Sequence, residues 1–81
     1  MVSSIQNFTA NTYYNITFSY TSNKIIKDFD FIPTSMNFCI PAGIQSKSIS
    51  GKYCAITIRV LATITTAYGS AGGHFVCTVP R

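Results

Sequence analysis

The chain has 81 residues, a formal net charge of +4 and 47% hydrophobic residues, which suffices for one folded domain and leaves no room for a second core. Intrinsic disorder is excluded because it requires low hydrophobicity together with high net charge. Isoleucine, valine and threonine supply 25 residues, whereas leucine, methionine and glutamate supply 3. Since β-branched side chains lose rotamer freedom in a helix but fit a pleated surface, this composition predicts an all-β domain.

The first third of the chain predicts three strands. A weak pattern around Ile5 and Phe8 predicts the first, at residues 3–9. The second has a clear apolar stripe that alternates with short polar residues, and the stripe consists of Tyr14, Ile16, Phe18 and Tyr20. The third ends at Pro33, because proline cannot donate to a sheet ladder, and its inward residues are Ile25, Phe29 and Phe31.

The middle of the chain is less regular. A short fourth strand is predicted to end at Pro41, with Met36, Phe38 and Ile40 facing inward. Residues 44–52 alternate serine with lysine and isoleucine before Gly51. This segment is interpreted either as an edge strand or as a loop.

The last third has the strongest alternation. One face of this predicted strand is apolar and therefore inward, and it comprises Cys54, Ile56, Ile58, Val60, Ala62 and Ile64. The glycine-rich segment Gly69–Gly73 is predicted to be a hairpin loop. The chain then returns as a sixth strand from His74, with Phe75, Cys77 and Val79 inward.

About six short alternating strands joined by glycine and proline turns predict a small antiparallel β-sandwich, either Ig-like or jelly-roll-like. A small β-barrel is the alternative architecture. Residues 1–81 are expected to form this single domain. Because serine, threonine and asparagine interrupt every apolar run, no stretch reaches the length of a transmembrane helix.

Few residues suit catalysis or metal binding. The chain has one histidine, two aspartates and no glutamate, and the one possible nucleophile pair, His74 with Cys77, would point to opposite faces of a strand. We therefore predict no enzymatic activity. The four candidate zinc ligands lack the closely spaced pairs of structural zinc sites, so no metal or cofactor is predicted; these ligands are Cys39, Cys54, Cys77 and His74.

The cysteines allow a second hypothesis. Cys54 and Cys77 both face inward in the predicted strands, so these two are the expected disulfide partners in an oxidising compartment. Cys39 is then left over. It is interpreted either as a small buried hydrophobic residue or as a free or intermolecular thiol.

Two functions remain after these exclusions. The six cationic residues are spread along the chain, which disfavours nucleic-acid binding. Loops rich in asparagine, serine, threonine and tyrosine favour a recognition module of the lectin, adhesin or effector type, which would bind a neutral glycan, a cell surface or a protein. The candidate contact residues are Asn11, Thr12, Tyr13, Asn23, Tyr53, Tyr68 and His74.

The alternative is a self-assembling subunit of a filament, capsid or crystal-forming protein. Residues 1–23 contain neither charge nor proline, and these are the features that normally protect sheet edges from association. We therefore expect a homo-oligomer whose contacts involve Ile5 and Phe8 of the first strand. The first residues lack the regions of a secretory signal, and an extracellular or surface location is the expectation that accompanies the recognition hypothesis.

Overall fold

A computed structural model describes residues 2–78 of the chain. Within this range the protein is all-β: six strands form two antiparallel three-stranded sheets, and no helix occurs. The all-β prediction and the strand number are thereby confirmed. The strands are β1 (Val2–Phe8), β2 (Tyr13–Thr21), β3 (Asp28–Pro33), β4 (Cys39–Ser50), β5 (Tyr53–Ala62) and β6 (Thr66–Thr78).

The strand order is β1-β6-β3 in one sheet and β2-β5-β4 in the other. Only β4 and β5 are both consecutive in sequence and paired with each other, so every other connection passes between the sheets. The long strands β5 and β6 are therefore central, and the other four are edges. This arrangement is consistent with the predicted sandwich.

The core lies between the sheets and draws its largest share from β5. The even-numbered residues of β5, from Cys54 to Ala62, are all buried, as the alternation predicts. Aromatic residues of β2 and β3 belong to the same core, and Phe18 stacks on Phe31 with ring centroids 5.3 Å apart. No polar or charged residue is buried among the described residues, so burial here carries no unpaired-group cost.

The segment at residues 44–52 belongs largely to an edge strand, β4, rather than to a loop. It pairs with β5 on one side, with register shifts between Pro41 and Gly43 and between Ile44 and Ser46. Every residue of β4 after Cys39 is exposed. Proline and bulges are features that keep an exposed edge from pairing with another chain.

The predicted inward face around the fourth strand is confirmed at Met36, which packs against the core, and wrong at the other two residues. Phe38 and Ile40 are 46% and 49% exposed, whereas Cys39 between them is 5% exposed. The backbone of Phe38 has φ 64°, a left-handed conformation outside the strand region. This conformation interrupts the alternation just before β4, and Cys39 takes the inward position.

Three other apolar residues also lie outside the core. Ile25 is 58% exposed and Ile26 is buried instead, because β3 begins only at Asp28 and the alternation does not extend back into the loop. Ile64 is 44% exposed because β5 ends at Ala62. Tyr20, the last residue of the aromatic stripe, is 41% exposed and stacks on Phe75.

The glycine-rich segment Gly69–Gly73 is not a hairpin loop. It lies inside β6, where Gly73 is opposite Val2 of β1 and also opposite Pro33 of β3. A Cβ atom at Gly73 would overlap the carbonyl oxygen of Ile32. The glycines thus permit close approach of neighbouring chain segments rather than a turn.

For the returning strand, the prediction is confirmed at two of the three residues expected to face inward. Phe75 and Cys77 are partly buried and pack against the core, and Val79 lies outside the described residues. In the described part of the chain no helix is long and apolar enough to cross a membrane.

Candidate functional site

Residues 2–78 enclose no pocket. They also contain no group of three or more histidine, cysteine, aspartate or glutamate side chains placed to hold a metal ion. His74 lies opposite the exposed Ile32, and Cys77 lies opposite the buried Phe29, so the two side chains occupy opposite faces of β6. A site in this part of the molecule must therefore be an open surface.

The seven residues predicted as ligand contacts are not brought together. Asn11, Thr12 and Tyr13 lie at the start of β2, whereas Asn23 and Tyr53 lie near its end. The ends of this nine-residue strand are about 27 Å apart, given the usual rise per residue. Tyr68 and His74 belong to β6 in the other sheet, so the structure divides the predicted site into three groups.

A more coherent surface is the outer face of the β2-β5-β4 sheet, which we call the hydroxyl face. Its residues form cross-strand rows, because directly opposed residues share one side of a sheet. The rows are Tyr13–Leu61–Ile40, Asn15–Arg59–Gly43, Thr17–Thr57–Ser46, Ser19–Ala55–Ser48 and Thr21–Tyr53–Ser50. Neighbouring strands are about 4.8 Å apart and successive rows about 6.6 Å apart.

Contacts within the hydroxyl face hold its side chains in place. The hydroxyl groups of Thr17 and Thr57 form a hydrogen bond of 2.7 Å across β2 and β5. The guanidinium carbon of Arg59 lies 4.2 Å from the ring centroid of Tyr13, in a cation–π contact. Tyr13 remains 52% exposed, so one aromatic ring is both fixed and accessible.

The hydroxyl face is nearly uncharged. Arg59 is the one charged residue in its rows. Only Tyr13 and Tyr53 of this surface were among the predicted contact residues. The other residues of the hydroxyl face occupy the polar positions of the alternating strands. Those positions predict which side of a strand faces solvent, but they do not distinguish a binding surface from any other exposed surface.

The edges of the two sheets differ in their protection. Lys47 of β4 donates a hydrogen bond of 2.8 Å to the carbonyl oxygen of Phe29 in β3 and lies 3.8 Å from a carboxylate oxygen of Asp28. Its ammonium group also lies 4.8 Å from the centroid of the Phe29 ring. These contacts join the β3 and β4 edges. By contrast, β1 and β2 contain neither a charged residue nor a proline, and β1 has one register shift, between Gln6 and Phe8.

The two residues predicted as oligomer contacts have different environments. Ile5 is 73% exposed, whereas Phe8 is 2% exposed and belongs to the core, where its ring lies 5.1 Å from that of Tyr14. Phe8 is therefore not accessible to a second chain. Only Ile5 of this pair offers apolar surface on β1.

The three cysteines are free thiols. Cys39 is buried, and its sulfur lies 3.2 Å from the carbonyl oxygen of Ser70. Burial raises the pKa of the Cys39 thiol. Its environment is that of a small buried hydrophobic residue rather than of a surface thiol.

Comparison of the chain with protein-family models, with curated proteins and with solved structures found no match.

Proposed function

We propose that this protein is a non-enzymatic recognition module that binds a neutral glycan on its hydroxyl face. The observation that carries the proposal is the set of aligned rows of hydroxyl and amide groups between the fixed ring of Tyr13 at one end and Tyr53 at the other. A secreted or cell-surface location accompanies this proposal.

The chemistry of the surface suits a sugar. Serine and threonine hydroxyls both donate and accept hydrogen bonds, as the hydroxyls of a neutral polyol do. A tyrosine ring stacks on the apolar face of a pyranose through dispersion and burial of C–H groups. Because Arg59 is the one charged group in the rows, covering the hydroxyl face requires little desolvation of charge.

The flatness of the surface favours an extended ligand. In the absence of a pocket within residues 2–78, a small sugar would be contacted on one side only. An extended polysaccharide can follow β2, whose length is about 27 Å, and meet several rows at once. We therefore expect binding to strengthen with the number of sugar units.

The test is a glycan array followed by calorimetric titration with the retained glycan. The Tyr13→Ala variant is expected to bind about tenfold more weakly, because it loses one stacking contact. Tyr68→Ala is the matched control: Tyr68 is 78% exposed but lies in the other sheet, and its removal should leave the affinity unchanged. Failure of the array to retain any glycan, or an equal loss in both variants, would refute the proposal.

A second candidate function is self-assembly, and the β1 edge, which carries neither charge nor proline, favours it. β1 pairs with β6 on one side only, and its seven residues are uncharged. Its unpaired backbone groups can therefore extend the sheet with a second copy of the chain. Ile5 adds an exposed apolar side chain to that contact.

Light scattering over a range of concentrations tests the assembly. Asn7→Lys places a charge on an exposed residue of β1, and Ser48→Lys places the same charge on an exposed residue of β4, whose edge already carries Lys47. If β1 mediates assembly, only Asn7→Lys should lower the mean mass, because its ammonium group would be desolvated in each contact. A wild-type protein that stays monomeric at high micromolar concentration would contradict the assembly hypothesis.

A further inference from the structure

Cys54 and Cys77 lie on different sheets and meet in the core. Cys54 is in β5 and is fully buried, whereas Cys77 is in β6 and is partly buried against the core. The Cys77 side chain neighbours that of Cys54 from the opposite sheet. The two cysteines therefore face each other between the two sheets and are not on hydrogen-bonded neighbouring strands of one sheet.

The register of the two sheets accounts for this proximity. Cys54 is opposite Tyr20, whose ring stacks on Phe75, two residues before Cys77. Cys77 is opposite Phe29, whose carbonyl oxygen accepts the hydrogen bond from Lys47. These contacts bring the Cys54 end of β5 next to the Cys77 end of β6.

Cys39 is separated from this pair. It lies opposite Ala62 at the far end of β5, so eight residues of strand, about 27 Å, separate its position from Cys54. Its sulfur contacts the Ser70 carbonyl oxygen and, at 3.6 Å, the Met36 sulfur. Cys39 is therefore too far from Cys54 to pair with it, whereas Cys77 is a neighbour of Cys54.

We propose that Cys54 and Cys77 form a two-electron redox site, which closes a disulfide between the sheets when the protein meets a small-molecule disulfide such as oxidised glutathione. The Cys77 thiolate attacks first, because Cys77 is the more accessible of the two; a mixed disulfide forms and one glutathione thiolate leaves. The Cys54 thiolate then attacks the Cys77 sulfur and releases the second glutathione. The two protein thiols lose two electrons to glutathione, and their protons go to the departing thiolates.

The closing step, in which the Cys54 thiolate attacks, depends on pH. Burial and the neighbouring Cys77 raise the pKa of the Cys54 thiol. Since the thiolate is the attacking species, closure should be slower than for an exposed thiol at neutral pH and should accelerate as the pH rises.

The disulfide would add a covalent link between the sheets. The closed loop runs from residue 54 to residue 77, and cross-linking a loop of this length restricts the unfolded chain considerably. We expect the melting temperature to rise by roughly 10 °C on oxidation. The stability of the protein would then report the redox state of its surroundings.

The test is incubation of the reduced protein with oxidised glutathione, followed by acid quenching, alkylation under denaturing conditions and peptide mapping. The expected product has lost two hydrogen atoms, links Cys54 to Cys77 and retains one alkylated cysteine, Cys39. The melting temperature should rise in the wild type and in Cys39→Ser, but not in Cys77→Ser. The map of the wild type alone decides the matter if Cys77→Ser does not fold.

Three outcomes would overturn the proposal. The first is that Cys54 and Cys77 are both alkylated after prolonged incubation. The second is a disulfide that includes Cys39. The third is a covalent dimer through Cys77 in place of the internal link.

Discussion

The two central strands, β5 and β6, contribute to the core in different ways. β5 supplies bulk, because its inward residues are Cys54, three β-branched residues and Ala62, all buried. β6 supplies space, because Gly69, Gly72 and Gly73 are also buried and leave room for the β1 and β3 strands and for the Phe8 ring. A central strand can therefore pack either through its own buried side chains, as β5 does, or through close contact of its backbone with neighbouring residues, as β6 does.

The largest expected effect tests the bulk supplied by β5. Ile58→Ala should lower the free energy of unfolding by about 2–5 kcal/mol, because Ile58 is 3% exposed and its truncation leaves a cavity. Chemical denaturation measures this loss. Thr63→Ala, just beyond β5 on the exposed surface, should change stability by less than about 0.5 kcal/mol. Similar losses of stability in the two variants would show that the buried side chains of β5 do not contribute more to stability than an exposed residue does.

A somewhat smaller effect tests the space supplied by β6. Gly73→Ala should cost about 1–3 kcal/mol, because the added methyl group overlaps the Ile32 carbonyl oxygen between paired strands. Ser70→Ala in the same strand is the control, since it adds no atoms. A Gly73→Ala variant as stable as the wild type would mean that β6 tolerates side chains at this position and that its glycines are not required by packing.

The smallest effect tests how closely β4 packs on β6, through the thiol of Cys39 beside Ser70. Burial raises the pKa of this thiol in the folded protein, so the fold retains a proton that the unfolded chain releases above its ordinary pKa of about 8.5. The stabilisation is complete below that pH and is lost as the pH rises through the higher folded pKa, by up to about 1.4 kcal/mol per pH unit.

Denaturation midpoints between about pH 8 and pH 10 measure this dependence. Cys39→Ala has no thiol to titrate at this position, so its stability should fall less steeply than that of the wild type. All other ionisable groups are the same in the two proteins, so the comparison cancels their contribution. Parallel curves would show that Cys39 is as accessible to solvent in the folded as in the unfolded protein.

The sequence predictions were more accurate where apolar and polar residues alternate over a longer stretch of the chain. In β2 and β5 the alternating residues run without interruption, and the predicted inward positions of Ile16, Phe18 and Ile58 are confirmed. Near Phe38 the alternation is short, and one left-handed residue shifts the inward position to Cys39. A single backbone conformation of this kind changes the face of the following residues, because side chains alternate with a period of two.

The candidate surface was predicted only in part. Tyr13 and Tyr53 were identified as contact residues because exposed tyrosine suits recognition. Thr17 and Thr57, by contrast, become a pair only through the register of β2 against β5. Since β2 and β5 are separated in the chain by two other strands, no local pattern indicates that pairing.

The sequence by itself determined the all-β class, the six strands and the inward faces of β2 and β5. These properties depend on side-chain shape and on alternation, both of which act over a few residues. Only the tertiary structure decided that Gly69–Gly73 is strand rather than turn and that hydroxyl groups from three strands form one surface. The physical reason is that each of these features depends on which strands pair or face each other. That pairing is selected by packing of the whole chain, and glycine is compatible with a turn as well as with a close contact between backbones.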